Sequence, residues 1–246
     1  MSITWNPWHG CKKHSAGCEN CYVYRIDGRH DRDAREVKKN KAFNLPVAKN
    51  RQGEYKIQSG ETIYTCFSSD FLIDTADEWR IEAWEMIRQR SDCTFVFLTK
   101  RIERLRAVLP SDWGEGYDNV VIGCTCENQE MADYRLPIFM NLPIKHRIIT
   151  MEPLLTPINF AQYITAPVEQ VIAGGESGLN VRVCDFDWIL DIHAQCRDMQ
   201  IGFYFKQTGA YFKKDGHIYN VRRQFQHSQA RKAGLNFYIE KACYLL

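Results

Sequence analysis

Thr94-Phe95-Val96-Phe97-Leu98-Thr99-Lys100-Arg101 carries the pattern on which the fold turns: β-branched and aromatic residues run directly into polar and charged ones. An unbroken apolar run of this length, ending in polar residues, reads as a strand buried on both faces, as in a parallel sheet. A short helix from about Ile102 to Leu109 follows it. Upstream, Ile63-Tyr64-Thr65-Cys66-Phe67 has the same form and ends in Ser68-Ser69-Asp70. Thr75 and Glu78 then make a capping box before a helix with Trp79, Ala83, Met86 and Ile87 on one face.

Downstream the unit recurs. Val120 to Cys126 ends in Glu127-Asn128 and precedes a helix from about Met131 to Met140, with Pro137 inside it. Arg147 to Met151 ends in Glu152-Pro153, and Gln170 to Ala173 ends in Gly174-Gly175-Glu176-Ser177-Gly178. A helix from Trp188 to Met199 leads to Ile201 to Phe205, which ends in Lys206-Gln207. Strands alternating with helical patterns indicate an α/β fold with about six parallel strands. Ile3-Thr4-Trp5 is a candidate further strand. Ligands gather at the carboxyl ends of strands in such folds. Ser68, Asp70, Lys100, Glu127, Asn128, Glu152, Glu176 and Lys206 are therefore expected to look into one shared site.

Residues 208–246 change character. Asp215-Gly216 suggests a hairpin, and Val221 to Ala233 is a basic, Gln-rich helical piece. The expected organisation is one domain over residues 1–207, with 208–246 as an extension packed on it. Between the strand-helix units and the amino terminus, Tyr22 to about Asn44 is dense in charge and reads as a helix breaking into loop. Pro46, Asn50 and Gly53 continue the irregular chain.

The amino-terminal segment holds the chemistry. Cys11, Cys18 and Cys21 are spaced C-x6-C-x2-C in a polar stretch, with Gly10 and Gly17 each just before a cysteine. No helix or strand period fits this segment, so the thiols read as metal ligands. Three thiolates without a fourth ligand suit an iron-sulfur cluster with one open iron, and His9 or His14 could complete a zinc site instead. Three reduced thiols in a loop without metal is the plain alternative. The other pair singled out, Cys124 and Cys126, alternates on one strand face and reads as buried thiols.

Ten cysteines with no secretory signal fit a reducing compartment, and no apolar run reaches membrane-spanning length. The expectation is a cytoplasmic protein with no membrane partner. The formal net charge is only +2 but is unevenly spread. Residues 1–60 carry 12 Lys and Arg against 6 Asp and Glu, residues 61–200 carry 12 against 22, and residues 201–246 carry 8 against 2. Two basic ends could form one surface for a polyanion, or be ordinary solvated surface.

The ordered motifs Trp5-Asn6-Pro7, Gly10-Cys11, Gly17-Cys18, Asn20-Cys21-Tyr22, Ser69-Asp70-Phe71, Asp77-Glu78-Trp79, Leu98-Thr99-Lys100-Arg101, Glu127-Asn128-Gln129, Glu152-Pro153-Leu154-Leu155, Gly174-Gly175-Glu176-Ser177-Gly178 and Phe205-Lys206-Gln207 resemble the phage-type three-cysteine-motif family. That family, of unassigned substrate, looks like a radical S-adenosylmethionine branch related to spore photoproduct lyase. The resemblance implies a partial (β/α) barrel and a 4Fe-4S cluster on Cys11, Cys18 and Cys21. It further implies S-adenosylmethionine chelating the open iron, an external electron donor, and a 5′-deoxyadenosyl radical acting on a substrate. Cofactor contacts are then expected at Ser68, Ser69, Asp70, Lys100, Glu127, Asn128, Glu152, Gly175 and Glu176. Ser69 and Asp70 would take the amino group and Lys100 the carboxylate.

A nucleic acid or nucleotide-like molecule is the expected substrate, with Lys206, Arg222 and Arg223 as contacts and Tyr211, Phe212, Tyr219, Phe225 and Phe237 available to stack on bases. The alternative is a zinc- or cluster-stabilised module that binds nucleic acid or a partner protein without S-adenosylmethionine chemistry.

Overall fold

The computed structural model of the chain describes residues 3–178 and 180–239. In chain order they form β1 (Ile3–Trp5), β2 (Trp8–His9), α1 (Tyr22–Gly28), β3 (Lys38–Lys39), β4 (Thr62–Thr65), α2 (Asp77–Gln89), β5 (Thr94–Thr99) and α3 (Leu105–Val108). Then come β6 (Val120–Thr125), α4 (Gln129–Met140), β7 (His146–Met151), β8 (Gln170–Gly174), β9 (Cys184–Asp185) and α5 (Phe186–Asp198). β10 (Gly202–Gln207), β11 (Tyr211–Lys214), β12 (His217–Asn220) and α6 (Arg223–Lys232) complete the order.

The protein is mixed α/β, with a sheet of seven strands in the order β1-β4-β5-β6-β7-β8-β10. The expected count of about six is corrected by β1, which pairs parallel with β4 from Ile3 opposite Ile63 to Trp5 opposite Thr65. Three residues are too few to show a period. What holds β1 is burial: Trp5 is fully buried, donates its indole N–H to the Phe43 carbonyl at 2.8 Å and meets Phe95 edge-on.

The chain divides into two compact units. Among the described residues the first comprises 3–14, 23–123 and 142–146, and the second 15–22, 124–141 and 147–239. In the first unit β4 pairs parallel with both β1 and β5. Phe71 is the hub of its aromatic core, packed on Trp8, Trp84 and Phe97. The anticipated Thr75/Glu78 capping box is absent. Asp74–Ala76 forms a 3₁₀ turn, the Thr75 hydroxyl donates to Asp74, and Ala76 stands at the N-cap of α2. Arg80 takes a core position on α2 in place of the partly exposed Trp79, because its guanidinium donates to the carbonyls of Phe71 and Ile73.

In the second unit β8 pairs parallel with β7 and β10, and all five of its residues are buried, as a strand covered on both faces requires. The residues after 207 are built into this unit. β11 pairs antiparallel with β12 through the turn Asp215-Gly216, whose φ values of 50° and 76° are those of a tight hairpin. β11 also pairs parallel with β9, a two-residue strand with no signal in the sequence. The helix expected over Val221–Ala233 runs over Arg223–Lys232. Residues 240–246 of the predicted extension lie outside the described residues. Among the described residues no helix is long and apolar enough to cross a membrane.

Candidate functional site

Cys11 sits on an arm fastened at the amino end of the first unit. Gly10 has φ +92°, and a Cβ there would lie 2.4 Å from the Glu36 carbonyl oxygen, so only glycine brings the arm this close. The Cys11 N–H donates to the Ala34 carbonyl at 2.7 Å, and the Tyr24 hydroxyl donates to the Cys11 carbonyl. Ser68 and Ser69, just beyond β4, hold the same arm. The Ser68 carbonyl accepts from Gly10 N–H, its hydroxyl donates to the Trp8 carbonyl, and its N–H donates to Asn6. The Ser69 hydroxyl donates to the Gly10 carbonyl.

Asp70 is 6% exposed and its carboxylate is fully occupied. Oδ1 accepts from the Thr99 hydroxyl at 2.7 Å and Leu72 N–H at 2.9 Å; Oδ2 accepts from Lys100 N–H at 3.0 Å and the Arg101 guanidinium at 3.1 Å. Four donors match the capacity of a carboxylate. Asp70 therefore orients Arg101. Arg101 in turn donates to the Lys12 carbonyl and lies 3.8 Å from Cys11 Sγ.

Cys18 and Cys21 belong to the second unit, in a loop pinned in the same manner. The Gly17 N–H donates to Glu127 Oε1 at 3.0 Å, and a Cβ on Gly17 would come within 3.0 Å of that carboxyl. Glu127 and Arg135 form an ion pair at 2.8 Å in which both side chains are fully buried. Arg135 also donates to the Thr125 carbonyl and to the Ser15 hydroxyl at 2.9 Å. Glu176 accepts from Asn20 at 3.0 Å and from both the backbone and the side chain of Arg182. Arg182 also reaches the Ala16 carbonyl and Glu19. Burial alone would raise the Glu176 pKa, but the hydrogen bonds from Arg182 and Asn20 outweigh it and hold the carboxyl below its ordinary value.

The remaining sequence-derived positions divide by role. Asn128 caps α4, accepting from Met131 N–H at 2.9 Å, and so is occupied locally. Gly175 is a packing glycine, since a Cβ there would lie 2.4 Å from the Thr208 carbonyl oxygen. Glu152 accepts from Lys206 at 3.0 Å, which pairs two residues expected to face a ligand. Lys100 is half-buried, and its ammonium has no hydrogen-bond or ion-pair partner among the described residues. Arg222 and Arg223 are exposed at the start of α6. Of the stacking candidates, Tyr219 and Phe225 are exposed; Phe212 is buried on Phe186 and Phe205, and Phe237 bonds through its backbone to Phe203.

Arg101, Arg135 and Arg182, which bond to the cysteine-bearing stretches, are not among the site residues expected from sequence. Arg135 carried a usable signal: it falls on the buried face of α4 among Ala132, Leu136 and Phe139, where a charge needs a partner.

Cys11, Cys18 and Cys21 are partly exposed free thiols, whereas the other six cysteines of the described residues are buried. Burial pushes the Cys66 and Cys126 thiols well up, helped by Asp70 and Cys124 respectively, and takes Cys184 to about 12. These are packing thiols. Among the described residues no three or more His, Cys, Asp or Glu side chains are grouped to hold a metal ion. Of the two histidines that could complete a zinc site, His9 Nε2 lies 2.7 Å from Asp27 and His14 Nε2 3.6 Å from Glu103.

The protein is α/β with parallel strands, and in each unit residues near the strand ends bond to the cysteine-bearing stretch that belongs to that unit. The chain belongs to the family described as "Protein of unknown function (DUF5131)", whose model matches residues 1–238. No curated protein matches it, and no solved structure does.

Proposed function

We propose that this protein is a cytoplasmic radical S-adenosylmethionine enzyme of the phage-type three-cysteine family, folded as a partial (β/α) barrel. Cys11, Cys18 and Cys21 would hold a 4Fe-4S cluster. The observation that carries the reading is the treatment of the cysteine segment: three reduced, partly exposed thiols on backbone tied down by Ser69, Arg101, Glu127, Arg135 and Glu176. A surface loop without a task does not need buried charges to position it. Bound there, the cluster would supply an electron from an external donor to S-adenosylmethionine and so a 5′-deoxyadenosyl radical. The chain's own part is to hold the thiols, with Arg101 beside Cys11 Sγ and Lys100 taking the cofactor's carboxylate. Ser69 and Asp70, assigned to the cofactor's amino group from sequence, act first by setting the Cys11 arm. A nucleic acid or nucleotide-like molecule remains the proposed substrate.

Anaerobic reconstitution tests this. Single Cys11→Ala, Cys18→Ala and Cys21→Ala variants should each lose most iron while Cys66→Ala and Cys196→Ala keep it, and the loaded protein should release 5′-deoxyadenosine from S-adenosylmethionine. Full iron retention in Cys18→Ala would end the assignment.

One observation favours a second reading, a cluster- or zinc-stabilised module that binds nucleic acid or a partner protein. The strand-end carboxylates of Asp70, Glu127 and Glu176 are engaged by protein donors. Metal without S-adenosylmethionine cleavage is the outcome that selects it.

A further inference from the structure

Beside the Cys11 arm, wholly within the first unit, lies a cavity of about 740 Å³ walled by basic side chains. Lys12 and Lys13 come from the arm itself, and Arg32 and Arg35 from the segment that the Cys11 N–H zips to it through Ala34. One helix wall is α1, which contributes Tyr24 and Gly28. Four cations face one lining carboxylate, Asp33. Two further carboxylates stand behind the lining, Asp74 against Lys12 and Asp27 toward Arg32, so the lining itself is the basic side of these pairs.

The local pairs set how each cation could meet a ligand. Arg35 holds Asp33 through Nε at 2.9 Å and Nη2 at 3.0 Å, an exposed pair that a phosphate would have to displace and that contributes little to stability. Arg32 reaches Asp27 only at 4.0 Å, and Asp27 Oδ1 is buried with no hydrogen bond, so the Arg32 donors are not spent there. Lys12 is held to Asp74 at 3.1 Å, and Lys13 stands 5.2 Å over the Tyr24 ring, which fixes both at the cavity wall. Gly28 opens the space: a Cβ there would meet nothing within 4 Å. Two guanidinium forks with two ammonium groups are the donor set that phosphate recognition uses.

We propose that this cavity is a phosphate-binding site, with Arg32 and Arg35 holding the phosphate and Lys12 and Lys13 adding charge. It takes a phosphorylated ligand or one phosphate of a polynucleotide. The inference rests on the nucleotide-like substrate reading for ligand class only, and it relocates the anchoring group from Arg222 and Arg223 to the Cys11 arm. It does not depend on the cluster.

The test is calorimetric titration of the full-length, metal-free protein at low salt with pyrophosphate and, separately, with a single-stranded oligonucleotide. Pyrophosphate should bind saturably, and Arg32→Gln with Arg35→Gln should weaken it by about tenfold or more. Gly28→Glu, which fits the open space and brings a negative charge, should do the same without loss of fold. The double reversal Arg222→Glu with Arg223→Glu should leave pyrophosphate binding unchanged. Pyrophosphate binding alone identifies a small phosphorylated ligand, and binding of both probes with the same variant losses identifies a polynucleotide backbone. No saturable pyrophosphate binding, or binding within about twofold of the parent in both cavity variants, overturns the site. Oligonucleotide binding lost only on reversal at Arg222 and Arg223 overturns it too while leaving the nucleic-acid reading intact.

Discussion

Asp70 concentrates at one residue the tension between a cofactor role and a scaffold role. Its carboxylate joins the ends of β4 and β5 through Thr99, Lys100 and Arg101, and through Arg101 it reaches the arm that carries Cys11. Asp70→Ala should therefore leave the buried Arg101 guanidinium without its carboxylate, and removing one member of such a pair costs about 3–5 kcal/mol. A urea unfolding curve should show that loss, and Asp70→Asn, which keeps an acceptor oxygen, should lose less. A change below about 1 kcal/mol for the alanine variant would mean that the arm does not depend on this carboxylate. A loss of cofactor binding in Asp70→Ala alone thus does not identify Asp70 as a contact.

At the scale of elements, the loop after β8 shows how a strand end can serve as a fastening. Gly174 and Gly175 leave no room for side chains, so the chain passes close to Glu152, Thr208 and Cys184 before Glu176 turns back to Asn20 and Arg182. The Glu176 side chain is 7% exposed, and its folded pKa lies below the ordinary value of 4.5. A carboxyl depressed in the folded state adds stability at pH above its unfolded value, and that stability is lost as pH falls through the folded value. Glu176→Gln should therefore be less stable than the parent at neutral pH. The difference should shrink as pH is taken below 4.5, as read by thermal unfolding across a pH series. A constant difference down to acid pH would place the effect in packing and not in charge.

For the whole molecule, the uneven charge noted in the sequence has a definite distribution. The basic group from Arg25 to Lys41 lies in the first unit and the group at Arg222 and Arg223 in the second. Several of the first group are already paired, Arg35 with Asp33, Lys38 with Glu36 and Lys39 with Glu82. If nucleic acid is the substrate, affinity should fall steeply as salt rises, because each neutralised phosphate releases counterions. Charge reversal at Arg222 and Arg223 should flatten that slope if α6 contributes, and reversal at Arg32 and Arg35 should flatten it if the cavity does. Absence of oligonucleotide binding at low salt would point to a small metabolite.

The sequence by itself determined the strand-helix alternation, because buried parallel strands must be apolar along their length. It also determined the polar strand ends and the separation of three loop cysteines from the buried ones. The hairpin at Asp215-Gly216 was legible because residues that tolerate positive φ announce the turn. Only the tertiary structure decided what the polar strand ends do. Hydrogen bonds such as Gly17 to Glu127 and Asn20 to Glu176 join residues 110 and 156 positions apart. No local period records such a pairing, and a carboxylate at a strand end reads the same whether it meets a cofactor or an arginine. The arginines at 101 and 182 were likewise invisible as anchors, since a charge is taken for a surface residue until its partner is seen, whereas Arg135 stood out only by falling on an apolar helix face.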